Sequence, residues 1–222
     1  MKLIKNFEFI NCPLLKIRPL KLNKLRIEQI KNSDSIIFTS SNAIAYIKKF
    51  KLFNKKVFCV GKDTKKTCLK NNFRNVFSAN GNVFNLIKLL KKKINNKKEK
   101  LVYISAKQTA VDLYSILKKN NFNIKKVSVY ESRSIKSVNK NILDKIKSNQ
   151  LNFISFFSKK TAQSFNQVVI KYKLKNYLNN IECISLSREI EKLVKKNNFK
   201  KYYVCINPDR ESFLKLLNFL KN

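Results

Sequence analysis

The chain contains no histidine among its 222 residues. This removes the commonest general base, the Ser–His and Cys–His nucleophile pairs, and most catalytic zinc sites. Chemistry here must rest on Tyr, Lys, Ser/Thr, carboxylates and backbone N–H groups. Two segments place such groups where an apolar run gives way to a helical one: Thr39-Ser40-Ser41-Asn42, and Phe157-Ser158-Lys159-Lys160. Hydroxyls and free N–H groups at a helix start either cap that helix or hold an anion. The repetition of the pattern at the carboxyl edge of a parallel sheet brings binding level with capping. A second turn, Val60-Gly61-Lys62-Asp63-Thr64, has the same strand–turn–helix character, and its counterpart Ser185-Leu186-Ser187-Arg188 lacks the glycine. Ser105-Ala106-Lys107, after another strand, either adds a hydroxyl and a cation or forms a solvated turn. Tyr130, close to Arg133, either packs as a strand aromatic or turns its phenol towards a ligand.

The elements that must position these groups alternate along the chain. Short apolar and β-branched runs predict strands at 35–40, 56–60, 101–106, 127–130, 152–157, 182–185 and 202–206. Helices are predicted between them, at 42–50, 62–71, 82–93, 108–119, 138–147, 159–170, 187–197 and 209–220. Strands apolar on both faces and separated by three-turn helices indicate parallel α/β sheets. Three helix ends repeat a signature, LKNNF (69–73) and KKNNF (118–122 and 195–199), in which Asn stands in for the usual left-handed glycine cap. A longer repeat pairs residues 36–47 with 152–165, 57–73 with 182–199, and 81–92 with 209–222 at a nearly constant offset. Two similar α/β lobes follow, 21–126 and 135–222, with 1–20 as an N-terminal segment and outgoing connector and 127–134 as the returning connector. Two facing lobes make a cleft, where small-molecule sites tend to occur.

Composition narrows the partners. The net charge of +36 would suit a polyanion. The lysines are spread over the whole chain, however, and the abundance of Lys, Asn, Ile and Phe beside 2 Gly and 3 Pro is also what A/T-rich codons produce. A basic nucleic-acid-binding protein and a non-catalytic anion-binding module are therefore the alternative readings, and no specific nucleic acid is expected. The 5 cysteines form no CxxC pair, and Cys59, Cys183 and Cys205 lie in apolar runs. They read as buried thiols of a reducing cytoplasm. No uncharged apolar run is long enough to span a membrane.

The segments IIFTSSNAI, VFCVGKDT, LVYISAKQT, VSVYES, FISFFSKKTAQSF and PDRESFLKLL, in this order, resemble the uroporphyrinogen-III synthase family over residues 13–222. The resemblance implies two flavodoxin-like lobes joined by a two-stranded connector, residues 13–20 going out and 127–134 returning. It implies a cofactor-free lyase, a monomer, that takes the anionic linear tetrapyrrole hydroxymethylbilane, inverts its last pyrrole and closes the ring. It places Thr39, Ser40, Thr64, Ser158 and Ser187 along the cleft, and it matches Tyr130 to a connector tyrosine proposed to assist departure of the hydroxyl. Ser41, Ser105, Lys107, Lys159 and Arg188 are further candidates from their own chemistry, as partners for substrate carboxylates. Family chains carry a strand ahead of the segment matching residues 1–13, so the second lobe is expected to have one parallel strand fewer than the first.

Overall fold

The computed structural model describes residues 7–79, 81, 83–96, 98–109 and 111–220. These form an α/β fold with a mixed six-stranded sheet and a separate parallel sheet of three strands. The chain divides into two compact units, one made of residues up to Lys16 together with Arg133 onward, the other of Ile17–Ser132.

In the Ile17–Ser132 unit, β2 (Ser35–Phe38), β3 (Lys56–Cys59), β4 (Asn75–Ser78), β5 (Leu101–Ala106) and β6 (Ile124–Ser134) run parallel in the order β4-β3-β2-β5-β6. Counted from β2 this is 3-2-1-4-5, a doubly wound order. Its switch point lies between β2 and β5. Every residue of β2 is buried, as a central strand covered on both faces requires. One face is covered by α1 (Lys24–Lys31), α2 (Ile44–Ile47) and α3 (Lys62–Lys70), which set Ile30, Ile44, Ile47 and Cys68 against Ile36, Phe38, Val57 and Cys59. The other face takes α4 (Val83–Lys93) and α5 (Leu113–Lys119), which pack Leu86, Leu90 and Leu117 on Ile37, Phe58 and Tyr103. β1 (Leu15–Pro19) closes the sheet beside β6. Leu20 N–H donates to Val129 O and Ile135 N–H to Leu14 O, so numbers fall in one strand as they rise in the other and the pair is antiparallel.

The second unit has β7 (Phe153–Phe156), β8 (Glu182–Ser185) and β9 (Lys201–Val204) in that order, all parallel. α6 (Lys140–Lys147), α7 (Lys159–Lys171) and α8 (Arg188–Val194) cover one face, and α9 (Arg210–Phe219) the other. These elements repeat β2 to α4, and among the described residues nothing repeats β5, α5 and β6. The deficit is therefore two parallel strands, three against five, not the single strand expected. Among the described residues no strand pairs with the outer side of β7. An apolar groove of about 740 Å³ runs there, walled by Phe7, Leu14, Ile142, Phe153, Phe157 and Phe213.

The Asn-Asn helix ends behave as expected. Asn72, Asn121 and Asn198 take positive φ of 67°, 61° and 57°, the left-handed stop usually given to glycine. Among elements not anticipated, α1 is capped by Asn23, whose side chain accepts from Arg26 N at 3.0 Å. β4 was also missed, and α5 begins at Leu113 rather than 108 because Asp112 caps it by accepting from Ser115 N.

Candidate active site

At the switch point of the six-stranded sheet, Ile37 of β2 lies beside Tyr103 of β5. Side chains two residues apart in a strand share a face, so Thr39, just past β2, is the diagonal neighbour of Tyr103, within reach of a long aromatic. The two hydroxyls meet there: Thr39 Oγ1 lies 3.1 Å from Tyr103 Oη. Tyr103 is 1% exposed, whereas Thr39 is half-buried. Burial pushes the Tyr103 phenol up from its ordinary value, the Thr39 hydrogen bond opposes this, and the negative charge of Asp112 adds to it. Tyr103 is not among the candidates read from the sequence, and only the pairing of β2 with β5 reveals its polar end. Beside Thr39, Ser40 accepts from Asn42 N at 3.3 Å, and Ser41 is exposed. Thr64, in the first turn of α3, is buried against the sheet at 8% exposure.

Tyr130 is placed by a β-bulge. Ser105 pairs with Ser128, but Ala106 pairs with Tyr130, so Val129 is an extra residue on β6. Regular alternation would set Tyr130 opposite Val129. The bulge turns it to the same face, and Val127, Val129 and Tyr130 all join the core beneath α1–α3. The ring stacks on Tyr46 with centroids 5.7 Å apart and is 5% exposed. The ring of the connector tyrosine thus packs as a strand aromatic in this unit's core. Its backbone carbonyl accepts from Lys107 N at 2.8 Å. Ser105 is buried, and its hydroxyl donates to the Ala106 carbonyl at 2.9 Å, so that hydroxyl is not presented; Lys107 is exposed.

In the other unit, Ser158 caps α7 by accepting from Thr161 N at 3.1 Å, and the two hydroxyls lie 3.0 Å apart. Thr161 was not foreseen, although a hydroxyl three residues after an N-cap serine is a readable signal. Ser187 starts α8, and its hydroxyl engages Glu189, a bond that holds the Glu189 carboxyl below its ordinary range. Lys159 adds to that lowering, and α7 and α8 share one core. Lys159 and Arg188 are exposed. Among the described residues no cluster of three or more Cys, Asp or Glu is placed to share a metal ion. No helix among them is long and apolar enough to cross a membrane.

The arrangement is a set of hydroxyls and exposed cations at the carboxyl edges of two parallel sheets. The model of the family described as "Uroporphyrinogen-III synthase HemD" matches residues 5–215. The chain belongs to this family. Its fold is similar to that of uroporphyrinogen-III synthetase from Helicobacter pylori, at 19% identity and a TM-score of 0.62, over 93% of this chain and 91% of that one. It is also similar to a mutant uroporphyrinogen III synthase from the extremely thermophilic bacterium Thermus thermophilus, at 12% identity and a TM-score of 0.54, over 94% and 86%. Among curated proteins no sequence matches significantly. The mixed sheet and the separate three-stranded sheet are thus the two-domain fold of this family, whose members are enzymes of tetrapyrrole biosynthesis.

Proposed function

We propose that the chain acts as a lyase on hydroxymethylbilane, releasing the terminal hydroxyl as water, inverting the last pyrrole through a spiro intermediate and closing the ring to uroporphyrinogen III. The observation that carries this reading is the family match over residues 5–215, which includes every candidate site residue. The chemistry suits a site without histidine. The leaving hydroxyl is allylic to an electron-rich pyrrole that expels it readily, so the protein's main task is to hold a reactive cation curled for closure.

In this reading carboxylates of the substrate are met, in the larger unit, by Thr39 and Ser40 at the end of β2 with the exposed Lys107, and, in the smaller unit, by Ser158 and Thr161 at the start of α7 with the exposed Lys159 and Arg188. Tyr130 donates a hydrogen bond to the departing hydroxyl from a ring fixed by the bulge and by Tyr46. Thr64, Ser105 and Ser187 serve packing and local hydrogen bonding more than contact with substrate, since the first two are buried and the third is bound to Glu189. The protein works as a monomer in a reducing cytoplasm, where its five free thiols persist. The test is incubation with hydroxymethylbilane followed by separation of the type I and type III isomers. Spontaneous closure yields isomer I, so enrichment of isomer III over a protein-free control is expected, and isomer I alone would overturn the reading.

A further inference from the structure

We propose that Tyr103 is a positioning residue for ligand binding, its buried phenol holding the Thr39 hydroxyl so that Thr39 donates its own proton outward to a substrate carboxylate. This rests on the synthase reading above. Tyr103 belongs to the core shared with Ile37 and Leu117, yet its oxygen reaches the rim of the sheet and meets Thr39 Oγ1 at 3.1 Å. A phenol this deeply buried needs a partner, and Thr39 supplies it. The phenol stays protonated at neutral pH, because burial raises its pKa.

Of the two possible donors, the phenol is the stronger acid. When it donates, Thr39 Oγ1 is the acceptor and the Thr39 proton is free to point out of the sheet. The opposite arrangement would turn threonine lone pairs towards a carboxylate, which would repel them. An anionic ligand therefore selects the chain Tyr103 O–H to Thr39 O–H to carboxylate, in which each bond polarises the next. The location agrees with this: the pair stands at the crevice between β2 and β5, where ligands of doubly wound sheets bind.

The test is a double-mutant cycle of wild type, Tyr103→Phe, Thr39→Val and the double variant. Three quantities are read: KM and kcat for isomer III formation, and the Kd of uroporphyrin I, a stable octacarboxylate porphyrin, by equilibrium titration. Tyr103→Phe keeps the ring and is expected to raise KM and Kd about fivefold to tenfold, with kcat within about twofold. Thr39→Val is expected to have at least that effect, and the double variant to match Thr39→Val alone. Thr39→Ser, which retains the hydroxyl, should bind as wild type does. Unchanged affinity in Tyr103→Phe, or two effects that multiply independently, would overturn the proposal. If Tyr103→Phe does not fold, Thr39→Val and Thr39→Ser still decide it: equal porphyrin affinity in these two would refute a donated Thr39 proton. A wild type that makes isomer I alone would refute the synthase reading, while the porphyrin titrations would still judge Tyr103.

Discussion

Replacing Tyr130 with phenylalanine separates the packing of that residue from its chemistry. The ring is 5% exposed and stacked on Tyr46, and phenylalanine preserves both contacts. Phenylalanine removes the hydroxyl alone. The stability change should stay below about 1 kcal/mol, the scale of one net hydrogen bond. Removal of a positioned donor to a leaving group typically costs about a hundredfold or more in rate. Because this hydroxyl leaves readily unaided, the expected loss is about tenfold to a hundredfold in kcat, or about 1.4 to 2.7 kcal/mol of barrier. KM should move little, since the bond strengthens only as the hydroxyl departs. The assay combines thermal unfolding with timed separation of the type I and type III products. A folded Tyr130→Phe that forms isomer III at the wild-type rate would refute the catalytic reading and leave Tyr130 as a core aromatic. Tyr130→Ala would not discriminate, because the emptied ring site alone costs about 3 to 5 kcal/mol.

Other outcomes follow from the same structure. With a net charge of +36 and a polycarboxylate substrate, kcat/KM should fall steeply as salt rises from about 20 to 200 mM, and binding to nucleic acid should be weak and lost over the same range; salt-independent kinetics would contradict this. Lys51 and Lys173 both hold φ of 53°, so Lys51→Gly and Lys173→Gly should each stabilise by about 0.5 to 1 kcal/mol in urea unfolding. Burial pushes the Cys183 thiol up to about 12, and the Cys68 thiol together with burial raises Cys59 further. A folded pKa raised above the unfolded one, about 8.5, means stability is complete below that pH and declines as pH climbs towards the folded value, so the urea midpoint should drop above about pH 9. The three-stranded unit, with the open side of β7, should lose amide protection before the other, as hydrogen exchange resolved by peptide would show.

Much of this architecture is legible in the residues. Seven of the nine strands among the described residues carry apolar runs that stand out from lysine-rich surroundings, and NNF marks three helix ends because Asn tolerates the left-handed conformation better than any other residue here except glycine. β4 was not legible: Asn75-Val76-Phe77-Ser78 is too short to show a period and follows directly on a helix stop. α1 carries only Ile30 as a buried residue, so its apolar stripe is faint. The site was legible in its hydroxyls and not in their orientation. Ser105 and Ser158 look alike as strand-terminal serines, yet one is buried and bonded to a neighbouring carbonyl while the other caps a thirteen-residue helix. The direction of Tyr130 depends on a single extra residue opposite Ser105 and Ala106, and the value of Tyr103 on a diagonal contact between strands 64 residues apart. Both are products of register, which no local pattern encodes.

The split composition of the smaller unit bears on the order in which the molecule assembles. Leu14 sits in the same core as Ile146 and Phe156, so this core cannot close until both stretches have been synthesised. The Ile17–Ser132 unit is continuous in sequence and can fold on the ribosome while the rest is still being made. Once it has folded, the β1–β6 ladder brings Leu14 within one hydrogen bond of Ile135. A closure spanning roughly 120 residues then becomes one spanning about four, some five halvings of length, which spares about 3 kcal/mol of loop entropy. The larger unit thereby acts as an intramolecular template for its neighbour, and destabilising it should slow the refolding of both.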